Sequence, residues 1–186
     1  MSSMSETCPL PISGIDAHAH VFERGLGLAA VRRYAPDYDA TLADYLTRLE
    51  ENGLSHGVLV QPSFLGTDNS YLLAALQQAP QRLRGVVVVE RDIAFDALQR
   101  MDALGVAGVR LNLMSQPLPD FAESTWQRVF PALAAVGLAC RVASSIGGFA
   151  GIGPAIAGDG LQGGGRSLRP ARCATRCRAA GLRPLA

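Results

Sequence analysis

The sequence is poor in charge and lacks the features that mark several classes of protein. Asp, Glu, Lys and Arg make up 18% of its 186 residues, and the formal net charge is +1. A nucleic-acid-binding surface needs a basic excess or stripe, which this composition does not supply. No apolar run approaches the roughly 20 residues of a membrane span, and the N-terminus has no signal-like segment. We therefore expect one cytoplasmic globular domain that binds neither nucleic acid nor membrane.

Cysteine is also scarce, with four residues spread widely along the chain. Because thiols stay reduced in the cytoplasm, this spread predicts no disulfide framework. Cys173 and Cys177 have three residues between them and no histidine nearby, which argues against a structural zinc site.

The chain does contain a regular alternation of short β-branched or apolar runs with amphipathic segments, from Pro11 to Ser144. Such alternation is typical of repeated βα units around a parallel sheet. Thr41 with Asp44 can cap the first helix, Asn69 or Ser70 can cap the second, and glycines follow three of the helices. The predicted strands are 12–17, 56–61, 84–90, 107–112 and 138–143, and the predicted helices are 41–52, 69–78, 94–104 and 124–136.

Four βα units and a fifth strand fit either a small doubly wound sheet or about half of an eight-stranded barrel. A doubly wound nucleotide-binding domain needs a glycine-rich turn after its first strand, and this chain has ISGIDAHAHVF there. Polar groups at the carboxyl end of a strand are where barrel enzymes carry their chemistry. The sequence therefore favours an α/β barrel of the TIM-barrel (βα)8 type.

The strongest chemical signal is Asp16-Ala-His18-Ala-His20 at the end of the first predicted strand. Side chains two residues apart in a strand point to the same side, so we expect all three polar groups to share one face. Two imidazoles on one face can converge on a metal ion, although a hydrogen-bonded structural pair is the alternative. His56 starts the second strand, at the opposite end of the barrel, which indicates a structural role.

The segment IDAHAHVFERG resembles the first strand of the amidohydrolase family related to 2-pyrone-4,6-dicarboxylate lactonase. The resemblance extends from about Gly14 to Leu138, and the order and spacing of several segments are more specific than the two histidines alone. The further segments that carry it are RRYAPDYDATLADYL, VLVQPSFLGTDNSYLLAAL, RLRGVVVVERD and LGVAGVRLNLM.

This resemblance implies a hydrolase that opens a carboxylated lactone by water attack on the ring carbonyl, with His18 and His20 beside that carbonyl. Arg110 matches an arginine that binds a substrate carboxylate, for which its planar fork is suited. A structural ion pair is the alternative for Arg110, and ordinary turn hydrogen bonds are the alternative for the two amides in the following set. Residues that match loops near the pocket are Tyr34, Gln61, Ser63, Asp68 and Asn69.

The resemblance leaves the substrate and the metal open. Gln116 stands where the dicarboxylate lactonase has a second arginine, so one carboxylate contact is in doubt. Similar proteins act on sugar lactones or muconolactones, or decarboxylate aromatic-acid derivatives, so a metal-dependent decarboxylase is the alternative enzyme. His18 and His20 would hold zinc or another divalent metal if one is used, and metal-independent catalysis is equally open.

The composition changes after residue 145, and we predict two parts, 1–145 and 146–186. The second part holds ten of the 20 glycines, six arginines and one acidic residue. A flexible glycine-rich tail is one interpretation. The other is a one-nucleotide frameshift near Gln162, because synonymous codons for QGGGRSLRP read one nucleotide later encode KVVVDHFGR, which resembles the sixth strand of the family.

A frameshift predicts a truncated half barrel of four βα units plus a fifth strand. The sixth-strand histidine and last-strand aspartate that the resemblance implies would be missing, and only three histidines are present. We therefore expect an inactive product with poor solubility or homodimerisation through its open edges. Two alternatives are a catalytically silent interaction fragment and a complete doubly wound ligand-binding domain, which predicts a cooperative melt.

Overall fold

The computed structural model describes residues 10–113 and 119–144. The five strands within these residues are β1 (Ile15–Ala19), β2 (His56–Val60), β3 (Leu83–Val87), β4 (Val106–Leu113) and β5 (Ala139–Ser144). The four α-helices are α1 (Leu42–Glu51), α2 (Ser70–Gln78), α3 (Phe95–Ala103) and α4 (Ser124–Val136), and a 3-10 turn covers Ser63–Leu65.

The strands form one parallel sheet in the order β1-β2-β3-β4-β5. Each strand pairs with the next along the chain, so the described strands have no point at which the order reverses. A doubly wound sheet requires such a reversal, whereas sequential right-handed βαβ units place every helix on one side of the sheet. The sheet order therefore decides for the barrel arrangement and against the doubly wound domain.

Two glycines show which face of the sheet the helices cover. A Cβ at Gly57 in β2 would overlap the Tyr45 hydroxyl of α1, and a Cβ at Gly85 in β3 would lie 2.9 Å from Leu72 and 2.7 Å from Leu76 of α2. These positions therefore point at the helices, and we call this side of the sheet the outer face. The inner face is the opposite side, which carries the alternate residues of each strand.

The predicted elements are all present, with ends shifted by up to three residues. The first strand starts at Ile15 instead of residue 12, and its start coincides with the beginning of pairing to β2. Thr41 and Asp44 form the reciprocal capping box that the sequence predicts. Asn69 occupies the N-cap position of α2, but its side chain makes no capping bond, so the predicted cap is wrong there.

None of the helices in residues 10–113 and 119–144 is long and apolar enough to cross a membrane. The predictions for the segment 146–186, for Gln116 and for Cys173 and Cys177 lie outside the described residues.

Candidate active site

β1 contains one residue more than β2 over the stretch that carries the histidines. Asp16 is paired with Gly57, but Ala19 is paired with Leu59, so three steps along β1 match two steps along β2. Paired residues of a parallel ladder face the same side, and an inserted residue changes the alternation beyond it. Asp16 therefore faces outward, and the expectation that it shares the face of His18 and His20 is wrong.

Asp16 instead bonds to the helix layer and to the inserted part of the strand. The Tyr45 hydroxyl donates to Asp16 Oδ2 at 3.2 Å, and the His18 backbone N–H donates to Asp16 Oδ1 at 3.1 Å. Burial, together with the charge and the hydrogen bond of Asp16, raises the pKa of Tyr45 well above its ordinary value. The phenol therefore stays protonated and remains a donor at every physiological pH.

The two histidines lie together on the inner face. Their rings meet edge to face, with 5.0 Å between centroids and an interplanar angle of 83°. His20 Nδ1 is 2.6 Å from the Val60 carbonyl oxygen at the end of β2. Since a carbonyl only accepts, Nδ1 carries the proton, and the neutral ring keeps Nε2 as an acceptor. This hydrogen bond thus fixes the tautomer of His20 through Nδ1 and does not involve Nε2.

Arg110 also belongs to the inner face, three strands away from the histidines. Val86 is paired with Gly108, and Val86 alternates with the outward-facing Gly85, so Gly108 and Arg110 face inward. Arg110 is half-buried. The inner face therefore combines an imidazole pair on β1 with a guanidinium on β4.

Asn69, a predicted substrate residue, is committed to the backbone. Its side-chain Nδ2 donates to the Val88 and Thr67 carbonyls at 2.7 and 2.9 Å, and its Oδ1 accepts from the Val88 N–H at 3.1 Å. The side chain is 5% exposed. The amide thus bonds both backbone groups of Val88 and ties the β2–α2 loop to the end of β3, which favours the structural alternative.

Gln61 follows the same pattern at the start of this loop. It is 1% exposed, its backbone N–H continues the ladder to Val86, and its Nε2 donates to the Asp68 carbonyl at 2.7 Å. Both bonds go to backbone carbonyls. The backbone bond extends the pairing of β2 with β3, and the side-chain bond closes the β2–α2 loop. Its Oε1 is buried without a protein partner among the described residues.

The other loop predictions lie in the β1–α1 and β2–α2 loops. Ser63 is half-buried at the start of the 3-10 turn, and Asp68 is exposed and accepts from the Ser70 N–H at 3.1 Å. The Tyr34 ring is 53% exposed and packs against Phe64 with 5.4 Å between centroids. Phe64 in turn contacts Phe22 at 5.0 Å, so aromatic packing joins the β1–α1 and β2–α2 loops.

The imidazole pair alone provides too few ligands for a zinc centre. Protein zinc sites use at least three side-chain ligands, and imidazole is a suitable type. The part of the chain that the structure describes contains no group of three or more His, Cys, Asp or Glu side chains that could hold an ion. Asp16, the nearest carboxylate along the sequence, is turned to Tyr45. The described residues therefore do not by themselves fit a metal.

Comparison with known proteins identifies the family. A model of the amidohydrolase family matches residues 15–163, which is most of the chain and includes all of β1 to β5. The chain belongs to the amidohydrolase family. Its parallel sheet with helices is part of the TIM-barrel fold of that family.

Two curated relatives of this amidohydrolase chain are lactone hydrolases by name. It is 36% identical over 114 residues to the 2-pyrone-4,6-dicarboxylate hydrolase of Comamonas testosteroni, covering 60% of this chain and 37% of the relative. It is 36% identical over 103 residues to the 4-sulfomuconolactone hydrolase of Rhizobium radiobacter, covering 54% of this chain and 34% of the relative. The matched part spans little more than a third of these curated relatives.

Solved structures with the same arrangement include two proteins named as 2-pyrone-4,6-dicarboxylic acid hydrolases. The one from Pseudomonas putida is 51% identical with a TM-score of 0.73, covering 79% of this chain and 54% of that chain. The one from Acinetobacter baumannii, solved with citric acid bound, is 42% identical with a TM-score of 0.67, covering 69% of this chain and 48% of that chain.

The sequence interpretation of this amidohydrolase missed Tyr45 and Gly57. A glycine inside a strand often marks a close approach by another group, which was the available signal. His56 was assigned a structural role, and its Nδ1 lies 2.7 Å from Ser55 Oγ at the start of β2. Cys140 is half-buried, and burial raises the pKa of its thiol to about 11, which keeps the thiol protonated at neutral pH.

Proposed function

We propose that this chain carries part of the active site of a hydrolase that opens carboxylated lactones. The observation that supports it most is the inner face, where the His18–His20 pair and Arg110 lie on the same side of one sheet. The names of the relatives point to the same chemistry, since they act on a pyrone dicarboxylate and a sulfomuconolactone. Both substrates pair a ring ester with an anionic group.

In the proposed reaction, water adds to the ring carbonyl carbon and the ring C–O bond breaks, which gives a ring-opened acid. In this reaction His20 Nε2 takes a proton from the attacking water when the ring is neutral, and it donates to the developing oxyanion or the leaving oxygen once the ring is protonated. The bond from Nδ1 to the Val60 carbonyl holds the ring in either state.

Arg110 supplies the anion-binding part of the proposed site. A guanidinium makes paired hydrogen bonds to a carboxylate, and partial burial strengthens such bonds. Citric acid bound to the Acinetobacter baumannii protein is a polycarboxylate, which fits this preference. We assign Tyr34, Ser63 and Asp68 to the rim of the pocket, and we assign Gln61 and Asn69 to the support of the loop.

A divalent metal such as zinc remains a prediction for this site. His18 and His20 supply two imidazoles, and further ligands would have to come from outside the described residues.

We further propose that the reading frame changes near Gln162 and that the 186-residue product is inactive. The family match ends at residue 163, beside this position, which supports the frameshift interpretation. Sequencing the gene across this region tests it directly. An unbroken reading frame through Gln162, with no family-like sequence in the adjacent frame, would contradict the interpretation.

The activity test compares two proteins, the 186-residue chain and a version with the frame restored near Gln162. Each is assayed on a panel of carboxylated lactones and aromatic acids, with and without a chelator. We expect the restored protein to open a carboxylated lactone and the 186-residue chain to be inactive. Release of CO2 from an aromatic acid, without lactone opening, would assign the restored protein to the decarboxylases instead.

The predicted homodimer belongs to this proposal as well. β1 pairs only with β2 among the described strands, and Ile15 on it is 44% exposed. An unpaired strand edge with exposed apolar groups is a template for association. Light scattering of the 186-residue chain should give the mass of a dimer, and a monodisperse, folded monomer would contradict this part.

A further inference from the structure

We propose that Tyr45 is a positioning residue, which acts through Asp16 to hold the inserted part of β1 and thereby places His18 and His20 on the inner face. The importance of that placement rests on the proposed function. The structural effect of Tyr45 does not, because it can be measured without any substrate.

The inserted residue of β1 is the feature that requires stabilising contacts. A regular β1 would put Asp16 and both histidines on the same face, and the insertion separates them. An extra residue disrupts the ladder locally, so its backbone groups need partners from elsewhere. The His18 N–H has such a partner in Asp16 Oδ1, which is 3.1 Å away. The Asp16 carboxylate therefore closes the inserted turn of the strand.

Tyr45 fixes the other oxygen of the same carboxylate. Its hydroxyl donates to Asp16 Oδ2 at 3.2 Å, and the side chain is half-buried between α1 and the sheet. The two oxygens of Asp16 thus connect helix and strand, because one accepts from the phenol and the other from the backbone. Hydrogen bonds to a charged acceptor are stronger than neutral ones.

Gly57 makes this contact sterically available. Any side chain at that position would place its Cβ on the Tyr45 hydroxyl, so the phenol lies in the space that a larger residue would fill. Gly57 is also the residue of β2 that pairs with Asp16. The strand position beside the carboxylate is therefore the one that carries no side chain.

The capping box of α1 holds Tyr45 in place from the other side. Tyr45 N–H donates to the Thr41 carbonyl at 3.0 Å in the first turn, and Thr41 and Asp44 bond each other reciprocally. A capped first turn resists fraying of the helix end, which keeps the Tyr45 side chain at the sheet.

The test compares Tyr45→Phe with Tyr71→Phe in the full 186-residue chain. Tyr71 on α2 is a matched control, because its hydroxyl also donates to a carboxylate, that of Glu23, at 2.8 Å. Amide hydrogen exchange and the ring-proton shifts of His18 and His20 are followed by NMR. We expect Tyr45→Phe to speed exchange of the His18 amide about tenfold or more and to move both sets of ring signals. Tyr71→Phe should change neither.

The proposal is overturned if His18 exchange is the same in both variants, or if Tyr45→Phe speeds exchange equally throughout β1 and β2. Asp16→Asn and Asp16→Ala provide a second pair in case Tyr45→Phe does not fold. Asparagine keeps the Oδ1 acceptor, and its Nδ2 can donate to the Tyr45 oxygen in place of the bond that Oδ2 accepts. His18 should therefore exchange as in the parent chain, whereas alanine removes both links and should speed exchange about tenfold. Equal exchange in these two variants would also overturn the proposal. These readouts do not depend on whether the protein hydrolyses lactones. The positioning role of Tyr45 and the proposed lactone activity can therefore be disproved independently.

Discussion

The end of β1 and the loop after β2 both carry polar side chains at the carboxyl edge of the sheet, but they use them in opposite ways. His20 Nδ1 donates to the Val60 carbonyl, and Nε2 lies on the inner-face side chain without taking part in that bond. Asn69 uses both its Nδ2 and its Oδ1 to bond the backbone of Val88. The first region therefore presents a ring nitrogen on the inner face, where we propose that the substrate binds, and the second holds a loop.

This difference shows that position at a strand end is too weak a criterion for a binding residue. Barrel chemistry is concentrated at this edge, yet the same edge contains loops whose backbone groups need partners. The destination of each polar atom separates the two cases. Substitutions in the first region should change activity, and substitutions in the second should change stability.

The largest effect is expected for His20→Ala and His18→Ala in the frame-restored protein. Loss of a group that handles the proton or the oxyanion should reduce kcat/KM for a carboxylated lactone about 100-fold or more. The urea midpoint should move little, because His18 is exposed and His20 is half-buried. Unaltered rates would remove the pair from the proposed site.

Asn69→Ala should have the largest effect on stability. It leaves the Val88 N–H and carbonyl without their partners and should cost about 2–3 kcal/mol in the free energy of unfolding. Asn52→Ala is the control, since that amide makes one exposed bond, to the Arg48 carbonyl at 2.8 Å. Urea titrations of both variants provide the comparison. Equal midpoints for the two would contradict the assignment of Asn69 to loop support.

Gln61→Met should cost less, about 1 kcal/mol, although the side chain is more deeply buried. The change removes the bond from Nε2 to the Asp68 carbonyl, but it also removes the buried Oε1 that has no protein partner among the described residues. Urea titration measures the cost. A loss greater than that of Asn69→Ala would show that Oε1 has an important partner, such as a bound water or ligand.

The smallest effect concerns the acid sensitivity of the loop. Hydrogen bonds from the Ser70 hydroxyl and backbone N–H lower the pKa of Asp68 below its ordinary 3.8. A lowered folded-state pKa adds stability above the unfolded value, and this stability is lost as pH falls through the folded value. The parent chain should therefore lose more stability below pH 3.8 than Asp68→Asn does. Parallel losses in urea titrations at several pH values would contradict it.

Much of the fold was readable from the sequence, because each strand and helix carries its own pattern and punctuation. The Thr41–Asp44 box and Gly137, which has a φ of 85° after α4, are local signals that the structure confirms. The sheet order confirms the barrel interpretation, which had rested on the missing glycine-rich turn.

The inserted residue of β1 could not be read in the same way. Register depends on the pairing of two strands, and the alternation rule assumes that neither strand contains an extra residue. Asp16 was therefore placed on the wrong face, although His18 and His20 were correctly placed together. The partners of Gln61 and Asn69 were equally hidden, because those bonds depend on how the loop folds back onto the sheet.

The central claim is that the structure fixes one nitrogen of His20 and leaves the other for chemistry. Long-range 1H–15N correlation spectra of the 186-residue chain at neutral pH report the tautomer of each imidazole. The bond to the Val60 carbonyl predicts that neutral His20 carries its proton on Nδ1, with Nε2 unprotonated. A neutral His20 with its proton on Nε2 would contradict the claim, because the Val60 carbonyl would then have no donor in the ring.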